Sequence, residues 1–107
     1  MKESKRRRLE AQGWKFGSAQ EFLGLSDEEI EFIDLRLSLA ALLANRRESL
    51  GYTQTEVAEL LGSSQSRVAK MEAGDPSVSV DLLIRSLLTL GVGRKQVGRA
   101  IGAAISV

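Results

Sequence analysis

Residues Tyr52–Gly74, YTQTEVAELLGSSQSRVAKMEAG, decide how the rest of the chain is read. Thr53-Gln54-Thr55-Glu56 has the form of a capping box, in which the Thr hydroxyl accepts from the Glu amide and the Glu carboxylate reaches back. It opens a helix expected through about Leu61, and Gly62 supplies the left-handed residue that stops it. Ser64 is the next N-cap, for a helix from Gln65 to about Ala73 that Gly74 and Pro76 end. Ala58 is small enough to let the two helices cross closely, and Val57, Leu61, Val68 and Met71 are spaced to form their shared core. Ser64, Gln65, Ser66, Arg67 and Lys70 are then left facing outward at the start of the second helix.

Two short helices joined by a tight Gly turn make a helix-turn-helix, and its second helix can place its first turns in the major groove of B-DNA. The outward residues suit that use. Gln pairs bidentately with adenine, Arg with guanine, Ser with either, and Lys with guanine or phosphate. The free amides and positive dipole end of the helix add affinity for phosphate.

Outside this unit the chain again reads as helices, with no convincing strand. Ser26-Asp27-Glu28-Glu29 is another capping box, with acids that favour the helix dipole, and its helix is expected to run to about Ser49, before Gly51. Ser79 caps a further helix, with Asp81 in its first turn, ending near Leu90. A last segment, Arg94 to Ile105, spaces Val97, Ile101 and Ile105 by four but is weakened by Gly98 and Gly102. The long helix shows two stripes. Ile30, Ile33, Leu37, Ala41 and Ala44 form one, and Phe32, Leu35, Leu39 and Leu42 form another roughly opposite. A helix packed only on its own domain needs one stripe. The second implies a cover, either Trp14, Phe16, Phe22, Leu23 and Leu25 folding back or a partner protein.

A chain of 107 residues is one domain with room for a modest core. It has no Cys and no His, which removes thiol nucleophiles, disulfides, imidazole bases and most metal-ligand sets. The longest apolar run, Leu39 to Ala44, is far short of a membrane span. The start, MKESKRRRLE, leads into Gln, Gly and Trp instead of an apolar signal core, so the expected location is cytoplasmic, on the nucleoid. The net charge of +1 is unevenly spread. Residues 1–20 hold six bases against two acids, residues 21–34 hold six acids and no base, and residues 35–107 hold nine bases and six acids. Such a distribution directs attention to a polyanion partner. The basic run Lys5 to Arg8 suits either a minor-groove or phosphate contact or a solvated tail.

Enzyme function is not expected. The acids Asp27, Glu28, Glu29 and Glu31 are explained by capping and dipole, and no phosphate loop, nucleophile elbow, metal motif or cofactor motif is present. The rival reading is a protein-interaction module of the same fold, which has less need for Arg67 and Lys70 beside Gln65.

TQTEVAELLG, SQSRVAKMEAG and SVSVDLLIRSLLTLG, in that order, resemble the lambda-repressor-like, Xre-type helix-turn-helix family between about Leu39 and Leu90. The resemblance implies an all-α, five-helix DNA-binding domain. Residues 1–25 would be a basic arm and extension and residues 26–107 the domain, with its core at 39–90 and the helix-turn-helix at about 53–73. It implies that Gln54 grips phosphate, that Ser64, Gln65, Ser66, Arg67 and Lys70 contact DNA, and that Arg47 pairs with Glu72 to hold the second helix in place. It also implies a homodimer on inverted half-sites of double-stranded DNA. The flank WKFGSAQEFLGLSDEEIEFIDLRLSLAALLANRR, Trp14–Arg47, is similar to antitoxins of the host-inhibition-of-growth type. That similarity implies repression of the chain's own promoter and binding of a ribosome-dependent ribonuclease toxin.

Overall fold

A computed structural model of the chain describes residues 23–103. Within them lie five helices and no strand: α1 (Asp27–Leu50), α2 (Gln54–Leu61), α3 (Gln65–Ala73), α4 (Val80–Thr89) and α5 (Arg94–Gly102). Both capping boxes are formed. Ser26 Oγ accepts from the Glu29 amide at 3.1 Å while Glu29 Oε1 accepts from the Ser26 amide at 3.0 Å. Thr53 and Glu56 repeat the arrangement at 3.1 and 2.8 Å. Ser64 and Ser79 cap α3 and α4. The last helix ends at Gly102, short of the Ile105 expected from spacing, and Ala104 to Val107 lie outside the described residues.

The core is one cluster fed by every helix. Leu39 and Leu43 of α1 meet Val57 and Ala58 of α2, Val68 and Met71 of α3, Leu83 and Leu87 of α4, and Val97 of α5. Leu61, expected in the core, is half-buried against it. Burying a Leu of this kind stabilises the fold by about 1.5–3 kcal/mol. The four helices after α1, of eight to ten residues, are too short to hold their shape alone, so this shared burial is what keeps them helical.

The long helix does not divide as its two stripes suggest. Its core-facing line is Leu39, Ala40 and Leu43, with Leu42 packed at the side, while Ala41 is exposed. Two stripes of similar hydropathy leave the rotation of the helix open. Bulk decides it: leucines fill the space between α2, α3 and α4, and Ala40 lies with Leu37 beside Gly74 at the end of α3. Towards the N-terminal end Ile30 is buried but Phe32 is 45 % exposed; of the residues expected to fold back, Leu23 is 56 % exposed and does not cover the helix, while Leu25 is half-buried. Trp14, Phe16 and Phe22 lie outside the described residues. No helix among the described residues is long and apolar enough to cross a membrane.

Candidate nucleic-acid interface

The turn between α2 and α3 is set by Gly62, whose φ of 64° is left-handed. That geometry lets the Ser63 amide reach back to the Ala58 carbonyl at 2.8 Å and redirects the chain within two residues. Ser64 then starts α3, its Oγ accepting from the Arg67 amide at 3.2 Å and lying 3.3 Å from Ser66 Oγ. Val68 and Met71 fix the inner face of α3 in the core, fully buried. As a consequence Ser64, Gln65, Ser66, Arg67 and Lys70 all lie exposed on the outer face. Neither Arg67 nor Lys70 has a carboxylate within ion-pair distance among the described residues.

A chain of polar contacts orients this face. Arg47 Nε donates to Glu72 Oε2 at 2.6 Å and Arg47 Nη2 to Glu72 Oε1 at 3.0 Å, a two-pronged pair in which both side chains are mostly covered. Arg47 Nη1 donates to the Tyr52 carbonyl at 2.9 Å, which ties the α1–α2 corner to the same head group. The hydrogen bond to Glu72 holds the Arg47 pKa above the ordinary arginine value. Gln54 Nε2 also donates to Glu72 Oε1, at 3.2 Å, and Gln65 Nε2 donates to Gln54 Oε1 at 2.7 Å.

Direction matters in this chain. An ionised Glu72 only accepts, so the NH₂ of Gln54 must face it and the Gln54 oxygen must face Gln65. Gln65 therefore spends one N–H inside the protein and keeps its Oε1 and second N–H for the outside. One acceptor and one donor side by side is the complement of the adenine N6/N7 edge. Gln54, placed by resemblance against phosphate, here lies half-buried between Glu72 and Gln65.

Three contacts add to those named from the sequence. Arg46, next to Arg47, turns the other way and donates from Nε to the Leu90 carbonyl at the end of α4, at 2.8 Å. Arg36 lies over the Phe32 ring at 4.9 Å from its centroid. Buried Ser86 points its hydroxyl at Met71 Sδ, 3.6 Å away, beneath the outer face of α3. The Arg46 and Ser86 contacts join residues far apart in the chain, and no local spacing marks them, whereas Arg36 and Phe32 are neighbours four residues apart on α1. In the loop after α3, Ser77 donates from its amide to Asp75 Oδ1 at 2.8 Å, and the side chain and amide of Ser77 hold the Asp75 carboxyl below its ordinary range. Among the described residues no group of three or more acids stands together to hold a metal.

Comparison with known proteins agrees with this geometry. A helix-turn-helix family model matches residues 43–97, just over half of the chain, and the match contains α2, the Gly62 turn and α3. A helix-turn-helix-type transcriptional regulator of Haemophilus influenzae, itself uncharacterised, is 32% identical over 66 residues, covering 62% of this chain and 67% of that protein. A Pyrococcus furiosus protein described as a helix-turn-helix-type transcriptional regulatory protein is 46% identical over 43 residues, 40% of this chain. The chain spans 14% of that archaeal protein. No solved structure matches the chain. With the family match falling on the α2–turn–α3 unit that presents Gln65, Arg67 and Lys70, the chain belongs to the helix-turn-helix family of DNA-binding transcriptional regulators and is not an enzyme.

Proposed function

We propose that the protein is a repressor of its own promoter, binding as a homodimer to inverted half-sites spaced by about 10 bp or a multiple of it. The observation that carries this reading is the Arg47–Glu72–Gln54–Gln65 chain, which fixes the donor and acceptor of Gln65 outward beside unpaired Arg67 and Lys70. Gln65, Ser66 and Arg67 read base edges, Ser64 and Lys70 contact phosphate or guanine, and Gln54 supports Gln65 while its backbone end of α2 lies along phosphate. The Arg47–Glu72 pair holds α3 in register and does not itself read DNA. The protein acts in the cytoplasm, on the nucleoid.

A dimer is part of the proposal because one subunit of this size buries too little surface for specific binding. Exposed Ile101 on α5 and exposed Phe32 on α1 probe the two candidate interfaces, the C-terminal segment and the second stripe of the long helix. Sedimentation of Ile101→Asp and Phe32→Asp variants decides between them: the variant that becomes monomeric marks the interface. The similarity of Trp14–Arg47 to host-inhibition-of-growth antitoxins supports a further role in neutralising a ribonuclease toxin, which inhibition of such a toxin by the purified protein tests.

The experiment for DNA reading is an anisotropy titration at physiological salt. It compares DNA from immediately upstream of the gene with a scrambled duplex, with Arg67→Ala as control. Binding at least about a thousandfold tighter to the first, lost in the variant, supports an autoregulator that reads bases with α3. Weak and equal binding to both overturns it in favour of a protein-interaction module.

A further inference from the structure

The helix-turn-helix unit is short of positive charge. From Thr53 to Gly74 it carries Arg67 and Lys70 against Glu56, Glu59 and Glu72, a balance of −1. Glu72 is occupied by Arg47, but Glu56 and Glu59 lie exposed on α2. The long α1 adds three bases against six acids, and α4 is balanced. Affinity for a duplex rests largely on neutralising phosphates and releasing their counterions. A protein of this fold that binds DNA must therefore draw much of that charge from elsewhere.

Among the described residues the charge is on α5. Arg94, Lys95 and Arg99 make it the most positive element, with no acid in its nine residues. None of the three has a carboxylate within ion-pair distance, unlike Arg85, which sits 3.2 Å from Asp81. At roughly 100° per residue Arg94, Lys95 and Arg99 fall within an arc of about 140°, opposite Val97 and Ala100 on the packed side. All three are exposed, and a side-chain carbon at Gly98, between them, would meet nothing. A phosphodiester chain can approach the helix there closely enough to meet all three heads.

This face does not point where α3 points. α5 packs on α1 and α4, whereas α3 packs on α1 and α2. Arg46 and Arg47, about 100° apart on α1, reach the end of α4 and the end of α3 respectively. Nor can the face pair with its own copy without setting three cations against three. We propose that the outer face of α5 is a second phosphate-binding surface, which takes the backbone of the bound duplex where it runs on beyond the stretch that α3 enters. The proposal rests on α3 being the DNA-reading helix.

The test measures affinity against salt concentration for the full chain and for the triple variant Arg94→Gln, Lys95→Gln, Arg99→Gln. Each is titrated with a site-only duplex and with one extending roughly 20 bp further on each side. Wild type is expected to show a salt slope on the long duplex steeper than the variant's by about 2–3 units per subunit, at about 0.9 per phosphate. On the site-only duplex the two slopes should coincide. Circular dichroism melts that superimpose would show that the variant is folded. Equal slopes on the long duplex overturn the proposal. Equal slopes with the variant failing to bind an acidic polypeptide such as poly-glutamate overturn it in favour of a protein partner, and equal slopes with lost bridging of two duplexes overturn it in favour of a second DNA molecule. Arg67→Ala, run in parallel, separates the two readings. Loss of site preference only in Arg67→Ala while slopes are equal leaves α3 reading intact and α5 overturned. Absence of site preference in wild type removes the reading of α3, whatever α5 does.

Discussion

Gln65 and Gln54 are the first residues of α3 and α2, and the side-chain amide of the one donates to the side-chain oxygen of the other at 2.7 Å. The two helix starts are thereby coupled at the face proposed to meet the duplex. Truncating either side chain loosens the other.

DNA binding should report that coupling. Gln54→Ala is expected to weaken specific binding although it leaves every residue on the outer face of α3 in place. In a double-mutant cycle with Gln65→Ala the losses should fall short of additive, with a coupling of about 0.5–3 kcal/mol. Additive losses in anisotropy titrations would mean that Gln54 touches the DNA independently of Gln65.

Stability should depend on the Arg47–Glu72 pair more than surface pairs do, since the two side chains are only 18% and 8% exposed. Arg47→Ala is expected to cost about 1.5–3 kcal/mol in urea unfolding, because Glu72 stays covered without its donor. Arg47→Met combined with Glu72→Leu should cost less than either single change. Because Arg47 is raised above the ordinary arginine value, its contribution is complete at any pH below that value. The cost of Arg47→Ala should therefore not change between pH of about 7 and about 10 on the arginine's account.

The two turn glycines should respond differently to alanine. At Gly62 a side-chain carbon meets nothing, so Gly62→Ala carries only the left-handed backbone penalty of about 1–2 kcal/mol. At Gly74, φ is 69° and the new carbon would lie 2.7 Å from Leu37 Cδ2. Gly74→Ala is expected to be the more destabilising in thermal melts. Adding Leu37→Ala should bring back the part due to crowding, less what the lost Leu packing costs.

Acid should expose the role of Asp75. Its carboxyl is held below the ordinary value by the side chain and amide of Ser77, so the folded state takes up its proton less readily than the unfolded chain. The contribution is present above the ordinary carboxylate value of about 3.9 and is lost as pH falls through the lower, folded-state value. The melting-temperature gap between wild type and Asp75→Ala is expected to be full at neutral pH and to close only in strong acid. A gap that stayed constant down to pH of about 2 would assign the effect to packing.

Local signals carried most of the fold. Ser26, Thr53, Ser64 and Ser79 mark helix starts because a side chain must satisfy an amide within three residues, which a sequence displays directly. Gly51, Gly62 and Gly74 mark ends for the same local reason. The rotation of α1 was not legible, because which stripe faces inward depends on what approaches from α3 and α4. In the interface the residues on the outer face of α3 could be named from their spacing, but the order of the Gln65–Gln54–Glu72 hydrogen bonds could not. That order follows from the acceptor-only nature of a carboxylate that lies 18 residues from Gln54 along the chain. The Arg46 contact spans 44 residues and has no periodic signature at all.

The last turn of α1 holds two clasps at successive residues: Arg47 on α3 and Arg46 on the Leu90 carbonyl that finishes α4. The Arg46 guanidinium also sits 2.9 Å from where a side-chain carbon on Gly91 would be, so it fills the corner leading into α5. Fraying that single turn undoes both clasps together. α3 and the α4–α5 corner then share one opening event, and their amides should exchange with deuterium at a common rate that falls when α1 is stiffened near Arg46.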